Sequence, residues 1–193
     1  MRGRSPPVVC GACSVTFAPA NRSWRAFSIG ANTVNRAVST VPLDSVSFVK
    51  LIEAWLTDEQ RDNSTILAID RDIVARRWYV RMRGDEKQII TVWLTLREMT
   101  LHAETYFMPA PEEQVTACFE YLLRANQRLF GMKFAIGVED AVYLIAQLPL
   151  SALGGSATEA RAELDRLLGS AYAYSEECFS TAMSIGFASR YRR

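Results

Sequence analysis

Three runs of strict alternation constrain this chain more than any other feature. Trp78, Val80 and Met82 alternate with Tyr79, Arg81 and Arg83. Ile90, Val92, Leu94 and Leu96 alternate with Thr91, Trp93 and Thr95. Leu101, Ala103, Thr105 and Phe107 alternate with Thr100, His102, Glu104 and Tyr106. Successive side chains of a strand point to opposite faces, so each run predicts a strand with one aliphatic face. Gly84-Asp85-Glu86-Lys87 supplies turn chemistry between the first two runs. Strands at such short intervals make an antiparallel meander. The apolar run Ile66 to Ile69 adds a strand before them.

Helical spacing frames this sheet. Asp44 or Ser45 can cap a helix whose face is Phe48, Val49, Ile52, Trp55 and Leu56, ending near Asp62 to Ser64. Pro109 and Pro111 stop the sheet, and Pro111 is expected as the first residue of a second helix, with Glu112 and Glu113 in its first turn. Val115, Phe119, Leu122, Leu123 and Leu129 form its expected buried stripe, with Gly131 as C-cap. A hairpin follows, in through Met132, Phe134, Ile136 and Val138, and out through Val142, Leu144, Ala146 and Leu148. Ser156 with Glu159 is a capping box opening a long helix through Leu164, Leu168, Ala171, Cys178, Ala182 and Ile185. The expected class is α+β, with three helices on one face of an antiparallel sheet and the order α-β(3–4)-α-β-β-α.

At 193 residues and 49% hydrophobic content, the chain can bury one core of ordinary size. Its net charge of +1 argues against a dedicated nucleic-acid binder. Residues 1–43 carry five arginines and no acid, whereas residues 44–189 carry 14 basic and 21 acidic residues. The expected division is a basic, disordered extension over 1–43 and a domain over 44–193. The next reading is a start assigned too far upstream, with Val34 and Val38 as positions where an alternative start codon could lie; an organelle transit peptide matches in its acid-free Arg/Ser composition alone. Four cysteines are too few for a disulfide scaffold of this length. With neither a membrane-length apolar run nor a signal-type apolar segment, the expected compartment is the cytoplasm.

Motifs for chemistry are sparse. Cys10 and Cys13 form a C-x-x-C without the second ligand pair that zinc needs. His102, the only histidine, shares a strand face with Glu104, a pairing that could serve as a general base. No glycine-rich phosphate motif is present. Tyr172, Tyr174, Glu176 and Glu177 read as a mixed helix surface. No catalytic residue, cofactor or metal is therefore assigned.

The second sheet face is the more informative feature. It carries Tyr79, Trp93, Tyr106, Tyr143 and Ile145 among Arg81, Arg83, Thr91, Thr95, His102 and Glu104. Solvated sheet faces are mostly polar, while aromatics mixed with arginine are enriched in protein interfaces. Tyr79, Arg81, Arg83, Trp93, His102, Tyr106 and Tyr143 are the candidate partner-binding residues. The competing reading is an amphipathic face, or one covered by the N-terminal segment.

The stretches Arg77–Gly84, Val92–Leu96, Tyr106–Glu113, Tyr121–Arg124, Gly137–Leu144, Leu148–Leu150, Glu163–Gly169 and Gly186–Ser189 resemble the actinobacterial branch of the YbjN domain family. The resemblance spans about residues 44–190. That family is also described as a bacterial sensory transduction regulator, with a fold similar to type III secretion chaperones. The resemblance implies three helices on one side of a curved antiparallel sheet, a homodimer, and a protein-binding role. It brings no catalytic or ligand-binding residue set.

The leading expectation is a non-enzymatic, dimeric, chaperone-like or regulatory module. It would hold an extended segment of an unidentified protein or peptide on or beside its sheet, with no membrane partner. Two alternatives are a small enzyme using His102 and Glu104, and a nucleic-acid-linked regulator using the basic tail, Arg81, Arg83 and Arg190 to Arg193. Residues 1–43 show no amphipathic period, so deleting residues 1–40 should leave the thermal unfolding midpoint nearly unchanged. A drop of many degrees in calorimetry would show instead that this segment packs on the domain.

Overall fold

The computed structural model describes residues 45–191. The expected extension, Asp44 and the Cys10–Cys13 motif lie outside the described residues. The element order is α1 (Ser45–Asp62), β1 (Ile66–Asp72), β2 (Arg77–Arg83), β3 (Ile89–Leu96), β4 (Thr100–Met108), α2 (Val115–Ala125), β5 (Lys133–Ile136), β6 (Val142–Pro149) and α3 (Ala157–Gly186). The strands form one six-stranded antiparallel sheet in the order β1-β2-β3-β4-β6-β5. This is the expected α+β class and order.

The alternation sets which face is core. Val80, Met82, Ile90, Val92, Leu94, Leu101, Ala103, Phe107 and Leu144 are all buried, and they form one cluster with residues of the three helices. Helix α1 contributes Phe48, Ile52, Trp55 and Leu56 to it. Two indoles join α1 to its neighbours. Trp78 of β2 donates its Nε1–H to Glu53 of α1 at 2.6 Å, and Trp55 of α1 donates to Asp165 of α3 at 2.7 Å. A buried tryptophan keeps its apolar body in the core only if its N–H finds an acceptor, and both do. At the far end Ser156 and Glu159 form the expected capping box, so α3 starts where local chemistry places it.

The segment after β4 departs from expectation. Pro111 does not open α2. Instead the backbone N–H groups of Glu112 and Glu113 both donate to the Gly186 carbonyl at the end of α3, at 3.0 and 2.9 Å. Glu113 also accepts the Ser189 N–H, and Glu112 pairs with Arg190 at 3.0 Å. An orphan carbonyl of a helix C-terminus needs donors, and this tertiary demand outweighs the helical preference of Pro111. Gln114 then turns the chain with φ 43°, and α2 begins only at Val115. It ends at Ala125, before the expected cap Gly131, which adopts φ 73° ahead of β5. The buried residues of α2 are Cys118, Leu122 and Ala125, whereas Val115 and Leu123 are exposed.

Strand β5 is a sheet edge, and Asn126 blunts it. Its side-chain carboxamide accepts the Phe134 N–H at 2.7 Å and donates to the Phe134 carbonyl at 3.2 Å. The amide thus stands in for one peptide unit of a missing neighbour strand, a local form of edge protection. Replacing Asn126 by Ala should lower stability by about 1–2 kcal/mol, because both main-chain groups of Phe134 lose a half-buried partner. An unchanged urea midpoint would show that water replaces the carboxamide at no cost.

Candidate functional site

The outer face of the sheet is built by the same register that closes the core. Tyr79 pairs with Trp93, Trp93 with Glu104, Glu104 with Ile145, and Ile145 with Lys133, giving one row across five strands. A second row runs Arg77, Thr95, His102, Gln147. Tyr106 pairs with Tyr143 and Tyr143 with Ala135.

These pairings bring three of the expected residues into contact. The Tyr106 and Tyr143 rings meet edge-on, with centroids 5.6 Å apart at 85°. Trp93 and Tyr143 are 6.4 Å apart and tilted by 54°. Aromatic pairs favour such edge-on and tilted arrangements. Trp93 and Tyr143 are half-buried and Tyr106 is 40% exposed, so the cluster presents apolar surface rather than filling a core. Tyr79 stands beside Trp93 in register. Burial, and to a lesser degree Tyr143, push the Tyr106 hydroxyl above its ordinary pKa, so it stays a neutral donor at pH 7.

The remaining candidates share the face but not the cluster. Arg81 is exposed and lies 3.6 Å from Asp70 on β1. Arg83 is exposed at the end of β2, opposite Ile89. His102 sits in the adjacent row and is 9% exposed. Trp93 therefore has Tyr79 and Glu104 as its cross-strand partners, with the arginines on neighbouring positions of β2.

His102 and Glu104 do lie close, with Nε2 3.8 Å from the carboxylate. Burial and the positive charge of Arg97 depress the histidine pKa, outweighing Glu104. The imidazole is thus neutral at pH 7, and its Nδ1 is buried with no hydrogen-bond partner among the described residues. Neither residue lines the clefts found between the helices, between α2 and β5, or beside β5 and β6. No group of three or more potential metal ligands occurs among the described residues.

Sequence reasoning missed the role of Glu176, read there as mixed surface. Its carboxylate accepts the backbone N–H groups of Asp85, Glu86 and Lys87 at 2.6, 2.9 and 3.0 Å. The β2–β3 turn is therefore tied to α3. A turn motif carries a signal for a hairpin but none for a carboxylate 90 residues away.

The YbjN family, described as "Putative bacterial sensory transduction regulator", matches residues 49–182. The chain belongs to the YbjN family. Uncharacterized proteins of Mycobacterium tuberculosis and Mycobacterium bovis are each 28% identical to it over 114 residues, covering 59% of either chain. One from Mycobacterium leprae is 26% identical over 113 residues, covering 58%. The chain thus spans just under three fifths of the length of these relatives. Mycobacterial relatives fit the actinobacterial branch of YbjN. Among the described residues of this YbjN chain, no helix is long and apolar enough to cross a membrane.

As the chain's only histidine, His102 gives a single imidazole titration by NMR. Its midpoint should lie below the ordinary 6.5. Because the folded pKa is depressed, the unfolded chain binds the proton first. The stability this residue contributes is present above about pH 6.5 and lost as pH falls through the folded pKa. A midpoint at or above 6.5 would contradict the burial of a neutral ring.

Proposed function

We propose that this domain is a non-enzymatic, cytoplasmic protein-binding module that holds an extended partner segment against the outer face of its sheet. The observation that carries this reading is the contact cluster of Trp93, Tyr106 and Tyr143, left partly open on the side opposite a complete core. The family description as a regulator, and the likeness to type III secretion chaperones implied by the sequence, support the same reading. The face is favoured over the edges as the docking place. Asn126 caps the edge at β5, and the edge strand β1 carries exposed Asp70, Arg71 and Asp72. On the face, main-chain groups are spent within the sheet, so affinity comes from side-chain anchors such as Trp93.

The domain works as a homodimer in this reading. One exposed apolar patch lies on α2 and β5, where Val115, Leu123 and Ile136 are exposed, with Val138 just beyond β5. Phe119, Leu123, Phe134 and Ile136 line a groove there with a cavity volume of about 250 Å³. Tyr121 of α2 and Phe130 beyond its end are engaged within the chain. Tyr121 packs against the core beside Thr181 and Cys178 of α3, and Phe130 lies under the Arg166 guanidinium at 5.5 Å.

Replacing Trp93 by Ala should reduce partner affinity by about 2 kcal/mol or more while changing stability far less. A core tryptophan would instead cost about 3–5 kcal/mol of stability. If urea unfolding shows the larger loss and affinity per folded molecule is intact, the outer face is not the docking surface. For the dimer, sedimentation of the unaltered protein at tens of micromolar should give twice the chain mass, and Leu123→Arg should give the chain mass. A monomer in both would remove the dimer.

A further inference from the structure

The two most exposed large apolar side chains among the described residues are Val74 and Ile73, at 97 and 87%. They stand together at the tip of the turn between β1 and β2, beyond the last paired residues Asp72 and Arg77. That turn holds its shape. Asp72 Oδ1 accepts the Ala75 N–H at 3.0 Å, Arg76 donates its N–H to the Ile73 carbonyl at 3.3 Å, and the Arg76 carbonyl accepts the Leu96 N–H at 3.0 Å. Turns of this kind favour glycine, asparagine, aspartate and serine. A fixed turn with two branched aliphatics at its tip presents an apolar knob instead. Arg76 stands at its base, exposed and without an ion pair among the described residues.

The same chain carries a matching recess. Every residue lining the groove between α2 and β5 is apolar, and its volume is about 250 Å³. Between two of those residues, Ile136 and Val142, the chain passes through Glu139 and Asp140. Both acids are exposed, and neither forms an ion pair among the described residues. The knob is thus aliphatic with an unpaired cation at its base, and the groove is apolar with two unpaired carboxylates at its margin. One copy cannot bring the two together. Strands β1 and β5 are opposite edges of the sheet, about 24 Å apart at the usual strand spacing. The row from Arg77 through Thr95 and His102 reaches β6 at Gln147, whereas the groove adjoins β6 at Val142, the other end.

We propose that the β1–β2 turn of one copy seats Ile73 and Val74 in the α2–β5 groove of a second copy, with Arg76 facing Glu139 and Asp140. This rests on the dimer reading above and names what fills its groove. Exchange in both directions closes a two-fold dimer, because each copy gives one turn and receives one. Association then removes the two most exposed aliphatic side chains and the groove lining from water, which is the favourable term. The charges orient the contact and speed its formation more than they strengthen it. Neither Trp93 nor the aromatic cluster of the outer face takes part.

Sedimentation equilibrium of full-length variants tests the contact. Val74→Asp sets a carboxylate in the apolar groove beside two others, and should raise the dimer dissociation constant by about tenfold or more. Because Val74 is exposed within one chain, the circular dichroism spectrum should not change. Arg76→Gly removes the cation at a φ of 48°, which glycine adopts freely, and should raise the constant about threefold. Val74→Asp and Leu123→Arg should each be monomeric alone. Mixed in equal amounts they should form a dimer of one copy of each, seen by native mass spectrometry. There the intact turn of one meets the intact groove of the other, and the second contact sets the introduced aspartate against the introduced arginine. If Val74→Asp dimerises like the unaltered chain while Leu123→Arg does not, the turn is not the occupant, and the dimer through α2 and β5 stands. Two monomeric variants that form no mixed dimer would also overturn the exchange. A monomeric unaltered chain would remove the dimer reading and this contact with it.

Discussion

Everything in this structure depends on a one-sided sheet. Six antiparallel strands offer two faces, and the three helices cover one of them. The covering is fixed by burial of an aliphatic face together with two indole–carboxylate hydrogen bonds, Trp78 to Glu53 and Trp55 to Asp165. Those bonds join the first helix to the second strand and to the last helix, elements far apart in the chain. They let the largest side chains enter the core without stranding a donor. With that face closed, none of the three described helices shields the other.

The outer face follows from this asymmetry. A period of two places every second residue of β2, β3, β4 and β6 outside, so Tyr79, Trp93, Tyr106 and Tyr143 cannot be buried by the fold that buries Val80, Val92, Phe107 and Leu144. Their cross-strand pairing turns scattered aromatics into a contact cluster, which supports a docking role. Next to it β3 and β4 stop pairing past Val92 and Thr105, and the Lys87 ammonium fills that gap, so the cluster adjoins the least regular part of the sheet. The regulator description of the YbjN family suits a domain with one sealed and one open face.

Much of the fold was legible in the sequence because it rests on local signals. Alternation in residues 78–107 gave the strands and their facing, and Ser156 with Glu159 gave the start of α3. The outer-face residues were legible for the same reason. What escaped were features settled by distant partners. Pro111 and Glu112 look like a helix start, yet their segment is held by the end of α3. Val115 and Leu123 match a helical stripe, yet α2 is rotated so that both are exposed. Asn126 capping Phe134, and Glu176 holding the turn at residues 85–87, join polar residues to backbone groups whose positions no local pattern encodes. The neighbours of Trp93 are likewise settled by register, which puts Tyr79 and Glu104 opposite it.

Site-specific photocross-linking tests the open outer face most directly. A benzophenone side chain placed at position 93 and, separately, at position 123 is irradiated in cells, and the adducts are weighed. A docking face predicts that position 93 captures a different protein, while position 123 yields an adduct of two copies of this chain. Adducts from position 93 that contain only this chain, or none at all, would contradict the assignment of the outer face as a partner-binding surface.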